Sequence, residues 1–164
     1  MGTRGFSLVE LVVTMAIAAI LVSIGVMQFN EMSRKSAIEE QVKKIHVDLA
    51  ELRQKALYEK TERAAKITAT EFATYPGDDI TAVPVIQRRL VYPMAWSTAD
   101  NPLVLSFDTF GMSGTSESGA IFVCIEPTKA NSAAVDSLIV SPTRVDLGKR
   151  VSGGSCVESS ITLQ

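Results

Sequence analysis

The feature that most constrains this chain is an uncharged stretch near its start, the twenty residues from Leu11 to Asn30. A mostly apolar helix of this length rises about 1.5 Å per residue and therefore crosses a hydrocarbon core about 30 Å thick. A secretory signal peptide has a shorter apolar core with small residues at a cleavage site after it, and no such site follows here. The sequence predicts a single membrane span over residues 6–30. Arg4 ahead of it predicts a cytoplasmic N-terminus and an exported body.

One carboxylate lies within the predicted span. Glu10 directly precedes the uncharged stretch and sits about one turn into the helix. A carboxylate at bilayer depth costs about 3 kcal/mol on insertion scales, so it needs a partner. The alternative is an interfacial side chain that reaches back to the head groups.

The residues around this carboxylate resemble a known processing motif. Gly5-Phe6-Ser7-Leu8-Val9-Glu10, behind a short basic leader, is similar to the motif of type IV pilins and pseudopilins. The resemblance implies that a prepilin peptidase cuts between Gly5 and Phe6, removing leader residues 1–5, and that Phe6 is then N-methylated. It also implies that Glu10 meets the Phe6 ammonium of a neighbouring subunit. Such pairing offsets two charges that would otherwise be desolvated alone.

The same resemblance implies a role, partners and a location. The role is that of a minor pilin or pseudopilin, a structural subunit of a type II secretion pseudopilus or a type IV pilus. The partners are other pilin-like subunits, prepilin peptidase and the inner-membrane assembly platform. The subunit would cross the inner membrane once, with its C-terminal domain in the periplasm, before it enters the fibre. The family role implies no cofactor.

The helix is expected to continue beyond the membrane. Apolar residues recur at alternating steps of four and three, which is typical of one face of a helix. They are Ile38, Val42, Ile45, Leu49, Leu52 and Ala56. This pattern predicts an extramembrane helix within residues 31–63 that ends at about Glu59 and covers a sheet of its own chain. A coiled coil is the alternative for this apolar stripe.

Short β-type runs separated by turn residues follow, over residues 64–164. The candidate strands are Ala65–Thr70, Val85–Tyr92, Leu103–Phe107, Ala120–Ile125, Leu138–Val140 and a last one near 144–151. The predicted fold class is therefore α+β: a long N-terminal helix, transmembrane in its first half, packed on a small antiparallel sheet.

The sheet region carries a second, looser resemblance. Residues 105–111, Leu-Ser-Phe-Asp-Thr-Phe-Gly, are similar to the F-x-x-x-G stretch of the GspH/FimT group of minor pseudopilins and pilins. Some FimT-like members are linked to DNA uptake and carry a G-R-x-R-like motif, which Gly148-Lys149-Arg150-Val151 matches in part. Arg144, Lys149 and Arg150 are accordingly the candidate DNA contacts of an alternative function.

The charge balance weighs against that alternative. From Ala64 onward there are seven Lys or Arg against ten Asp or Glu. Phosphate binding at physiological salt needs several cationic contacts. The sequence therefore favours a structural subunit over a nucleic-acid-binding one.

The two cysteines, Cys124 and Cys156, both lie in the region predicted to be exported. An even number of cysteines outside the cytoplasm favours a disulfide between them. The alternative is two free thiols, at least one of them buried like a small apolar residue.

The sequence gives little support to an enzyme or a metal site. The single histidine, His46, lies beside the apolar helix face, where a helix-surface position or a helix–sheet contact is the expected role. No catalytic set assembles around it, and one histidine with two cysteines has no recognisable metal spacing. Asp78 and Asp79, in a turn after Pro76, could hold Ca²⁺, although adjacent acids in a turn are usually only solvated.

We expect the mature protein to begin at Phe6, because the Gly5-Phe6 junction directly precedes the apolar run. N-terminal analysis or intact mass of protein from the native host measures this. A retained Met1, or cleavage after residue 25, would contradict the processing motif.

Overall fold

The long N-terminal helix is the first element of the computed structural model, which describes residues 7–114, 119–151 and 154–164. Helix α1 runs from Leu8 to Glu59 without interruption, which confirms the predicted end of the helix. Lys60 follows with a φ of 54°, the left-handed conformation that commonly ends a helix. The chain divides into two compact units between Arg34 and Lys35.

In the second unit, the predicted apolar stripe of α1 is buried. All six of its residues, Ile38 to Ala56, are at most 5% exposed, and they belong to one cluster with residues of the strands. The coiled-coil alternative is therefore wrong for this face, because the chain's own strands cover it.

The strands form two antiparallel sheets, whereas the sequence predicted one. They are β1 Arg63–Ile67, β2 Glu71–Tyr75, β3 Ile86–Arg89, β4 Met94–Trp96, β5 Leu103–Phe107, β6 Ile121–Ile125, β7 Ser137–Val140, β8 Val145–Arg150 and β9 Ile161–Leu163. The first sheet has the order β3-β2-β1-β5 and the second the order β4-β6-β7-β8-β9. A short 3₁₀ helix, Glu158–Ser160, precedes β9.

Several predicted strand boundaries need correction. Strand β5 has its predicted bounds, and β6, β7 and β8 lie within one residue or so of theirs. The helix ends at Glu59 and β1 begins at Arg63, so the sheet region starts one residue before the predicted residue 64. The first predicted strand ends at Ile67 rather than Thr70, because the chain turns there into β2.

The strand predicted over Val85–Tyr92 is shortened by a side chain of the helix. The side-chain oxygen of Gln41 accepts hydrogen bonds from the backbone N–H groups of Val91 and Tyr92, both at 3.0 Å. Its amide nitrogen donates to the carbonyl oxygen of Tyr92 at 2.9 Å. Since Gln41 takes the place of a strand partner, β3 ends at Arg89.

The second sheet is buried on both faces, as the burial of every residue of β6 and β7 shows. Alternate side chains, such as Val123 and Leu138, join the main core with the helix. The opposite side chains, Phe122, Cys124 and Ile139, join Cys156 in a smaller cluster. The C-terminal segment therefore covers the outer face of this sheet.

The turn after β5 packs against the end of the helix. Gly111 has a φ of +69°, and a Cβ atom there would lie 2.6 Å from Cγ of Leu57. Its carbonyl oxygen accepts a hydrogen bond from Nε of Arg53 at 2.7 Å. Both the backbone conformation and the close approach require glycine at this position.

We expect Gly111→Ala to lower the free energy of unfolding by about 1–3 kcal/mol, because alanine is strained at this φ and would contact Leu57. Chemical denaturation of the full chain in detergent measures the change. Gly77→Ala is the matched control, since its added Cβ would have open space and its φ is not in the left-handed region. Equal stability of the two variants would contradict this account.

Candidate functional site

The first unit presents an apolar surface that nothing in the unit covers. Every large hydrophobic residue from Leu8 to Phe29 is at least half exposed. Among the described residues, α1 is the one helix long and apolar enough to cross a membrane, by length and composition. Water is a poor solvent for such a surface, so lipid or other protein must cover it.

Two hydroxyl side chains in this segment bond to the helix backbone. The hydroxyl of Thr14 donates to the carbonyl oxygen of Leu11 at 2.9 Å, and that of Ser23 donates to Ala19 at 2.8 Å. Such bonds suit a segment surrounded by lipid, where no water satisfies a polar group.

Glu10 lies exposed in the first turn of α1. Its backbone N–H donates to the hydroxyl oxygen of Ser7 at 3.3 Å, the geometry of a serine that caps a helix start. The positive end of the helix dipole also favours a carboxylate here. The predicted cleavage site, Gly5 and Phe6, lies outside the described residues.

The predicted pairing of the two cysteines is confirmed. Cys124 in β6 and Cys156 form a disulfide with a Cα–Cα distance of 5.8 Å across a sequence separation of 32. Both residues are buried. The bond fixes the C-terminal segment to the outer face of the second sheet, and closing a loop of this size contributes about 3–4 kcal/mol in the chain-entropy model.

The three basic residues proposed as DNA contacts do not form a basic surface. Nε of Arg144 pairs with Asp146 at 2.7 Å, and Nζ of Lys149 pairs with Asp136 at 3.1 Å. Arg150 is only 2% exposed. Of the three side chains only that of Arg144 lies mostly in solvent.

Arg150 is held by a ring of backbone carbonyls. Its guanidinium donates to the carbonyl oxygens of Pro127 at 2.8 Å, Lys129 at 2.9 Å and Glu126 at 3.0 Å, with longer bonds to two further carbonyls. Nε lies 3.9 Å from the buried carboxylate of Asp136. Both Nη atoms donate, and three of their acceptors lie in the loop between β6 and β7, so the guanidinium holds that loop in place.

His46 and Asp79, the side chains considered above for an enzyme or a metal site, both make structural contacts. Nε2 of His46 lies 3.0 Å from the carbonyl oxygen of Val145, which is the expected helix–sheet contact. Oδ1 of Asp79 accepts hydrogen bonds from the backbone and the hydroxyl of Thr81, and these bonds lower the pKa of Asp79. Over the described ranges, no group of three or more His, Cys, Asp or Glu is placed to hold a metal ion.

Sequence reasoning missed the importance of Asp136, which is 1% exposed. This carboxylate accepts hydrogen bonds from Asn131, Ser137, Lys149 and the backbone N–H of Arg150. The sequence offers only a weak signal, an acidic residue directly before the apolar strand β7. Its partners become visible only when β7 and β8 are paired.

Comparison with known proteins supports the N-terminal part of this description. Residues 1–26 match the family model of the prokaryotic N-terminal methylation motif. No curated protein and no solved structure matches the chain significantly. The match indicates an N-terminal segment of the type IV pilin-like kind, and the long helix that packs on the antiparallel sheets begins within it. The match is confined to the N-terminal segment, so membership of the GspH/FimT group stays a prediction.

We expect Arg150→Ala to destabilise the protein by about 3–5 kcal/mol, because it leaves five carbonyls without their donor and removes one of the two cations beside Asp136. Arg144→Ala is the matched control and should cost about 1 kcal/mol or less, since its ion pair is exposed. Denaturation of both full-length variants, with DNA binding measured alongside, tests this. A stable Arg150→Ala protein that had lost affinity for DNA would restore the DNA-contact hypothesis.

Proposed function

We propose that this chain is a minor pilin or pseudopilin, a non-enzymatic subunit of a type II secretion pseudopilus or a type IV pilus. The observation that carries the proposal is the uncovered apolar surface from Leu8 to Phe29, most of which lies within the residues that match the methylation motif. Such a surface needs lipid before assembly and neighbouring helices afterwards. A prepilin peptidase that cuts between Gly5 and Phe6 supplies the free N-terminus for that transfer.

The disulfide supports export of the second unit. Disulfides persist in oxidising compartments, and the bacterial periplasm is one of them. With Cys124–Cys156 bonded, a periplasmic C-terminal domain and a cytoplasmic leader agree with the position of Arg4. The partners of the subunit are then prepilin peptidase, the inner-membrane assembly platform and other pilin-like subunits.

The F-x-x-x-G stretch supports assignment to the GspH/FimT group through the physical role of both residues. Phe107 is 1% exposed at the end of β5 and belongs to the main core. Gly111 occupies a left-handed turn against Leu57. A sequence pattern that requires this phenylalanine and this glycine therefore corresponds to a turn that packs the first sheet against the end of the helix.

The DNA-uptake alternative has less support. Two of its three candidate contacts, Lys149 and Arg150, are engaged by Asp136 and by backbone carbonyls. Binding of a phosphate by Arg150 would require opening the loop between β6 and β7. We therefore retain assembly as the function.

We expect Glu10→Ala and Glu10→Gln to insert, to be cleaved after Gly5 and to keep a folded second unit, yet to enter fibres poorly. Either change removes the carboxylate that would pair with a neighbour's Phe6 ammonium in a dry setting, where charge pairing is strong. Co-assembly with partner subunits, measured beside thermal melting of the full chain in detergent, gives the result.

Glu31→Gln is the control, because it removes a carboxylate from the same helix outside the uncharged stretch. Glu10→Gln retains the size of the side chain and so separates the loss of charge from the loss of size. Normal assembly of both Glu10 variants would show that the pairing role is wrong. Reduced accumulation of the unassembled subunit would place the effect in membrane insertion instead.

A further inference from the structure

An amine, a carboxamide and a buried carboxylate meet beside strand β8. Nζ of Lys149 lies 3.1 Å from the side-chain oxygen of Asn131 and 3.1 Å from Oδ2 of Asp136. The side-chain nitrogen of Asn131 lies 3.0 Å from the same Oδ2. Lys149 also donates to the backbone carbonyl oxygen of Asn131 at 3.1 Å. Each of the three side chains therefore contacts the other two.

The carboxylate is fixed so that one oxygen serves both nitrogen atoms. Oδ1 of Asp136 accepts hydrogen bonds from the backbone N–H of Arg150 and the hydroxyl of Ser137, both at 2.8 Å. This leaves Oδ2 between the lysine amine and the asparagine nitrogen. A group within hydrogen-bond reach of both nitrogen atoms is placed to carry a proton from one to the other.

The carboxamide of Asn131 is oriented and polarised. Its oxygen accepts a hydrogen bond from the backbone N–H of Ala133 at 3.2 Å, besides the contact with Lys149. Donors directed at a carbonyl oxygen stabilise the negative charge that forms there when a nucleophile attacks the carbon. The amide nitrogen points to Asp136, on the side where a leaving group would take up a proton.

We propose that Lys149 and Asn131 form an intramolecular isopeptide bond, with Asp136 as the acid–base catalyst. Nζ bonds to Cγ of Asn131, and the bond from Cγ to Nδ2 breaks. Two protons leave the lysine ammonium. One passes through Asp136 to Nδ2, which departs as ammonia, and the other converts that ammonia to ammonium. The carboxylate is regenerated, and no oxidant or reductant takes part.

The burial of the reacting side chains and the contacts between them favour the reaction over solvation of each side chain by water. The side chain of Asp136 is 1% exposed and that of Lys149 is 24% exposed, so the carboxylate that would transfer the proton is shielded from water, and Asn131 is itself partly buried. Holding the reactants in contact also removes most of the entropic cost of bringing them together.

The bond would join strand β8 to the loop between β6 and β7. That loop also contacts the helix, since the backbone N–H of Ala134 donates to Glu39 at 2.7 Å, a bond that lowers the pKa of Glu39. Together with the Cys124–Cys156 disulfide, the sheet would carry two covalent cross-links. The proposal concerns the folded chain alone and does not depend on its assembly into a fibre.

Mass spectrometry of the full chain, purified in detergent and then reduced and denatured, tests the proposal. We expect an intact mass lower by one ammonia and a branched tryptic peptide that contains Asn131 and Lys149, with no cleavage after Lys149. Lys149→Arg keeps the cation but cannot form the bond, so it should restore the full mass. Lys129→Arg, in the same loop, is the matched control and should retain the cross-link.

Three results would overturn the proposal. One is a parent protein that shows no loss of ammonia in its mass and is cleaved normally after Lys149. Another is a mass loss that persists in Lys149→Arg, because a cyclic imide at Asn131 also releases ammonia. The last is a linear peptide in place of the branched one. For the catalytic role, Asp136→Asn should lower the cross-linked fraction at least about 10-fold, and an unchanged fraction would remove Asp136 from the reaction.

Discussion

The constraint on which the rest of the structure depends is the exposure of the helix from Leu8 to Phe29. A surface of this size costs free energy in water in proportion to its apolar area, and the residues that the structure describes leave it uncovered. The hydroxyl groups of Thr14 and Ser23 bond to the helix backbone and so need no water. The segment therefore suits two environments, a bilayer and a bundle of similar helices, and transfer between them requires no refolding.

In the second unit, one face of the helix packs against both sheets and so forms a common core with them. Residues Ile38 to Ala56 lie in a single core with side chains of the first sheet, such as Phe72, and of the second, such as Leu138. The outer face of the second sheet is covered separately by the C-terminal segment, which the disulfide fixes in place. Arg150 and Asp136 then hold the loop that closes this end of the unit. Buried charges of this kind are stable only when their partners are complete.

Local sequence signals predicted those features that depend on neighbouring residues. The uncharged stretch, the apolar stripe that ends near Glu59 and the bounds of β5 follow from composition and periodicity alone. The division into two sheets was missed, and so were β4 and β9, because these strands have only three residues each and are defined by pairing with β6 and β8. The prediction of Arg150 as a DNA contact was misleading, since two adjacent basic residues such as Lys149 and Arg150 suggest an exposed basic surface. The burial of Arg150 depends on carbonyls 21 to 25 residues earlier in the chain.

The central claim is that the apolar segment exchanges lipid for neighbouring helices when the subunit assembles. A photo-cross-linking amino acid at Ile17, which is 54% exposed, measures this most directly in cells that carry the assembly machinery. We expect cross-links to lipid when prepilin peptidase is inactive and cross-links to pilin-like subunits when it is active. Cross-links to lipid alone in both cells would contradict the account, and so would recovery of the chain free of both membrane and fibre.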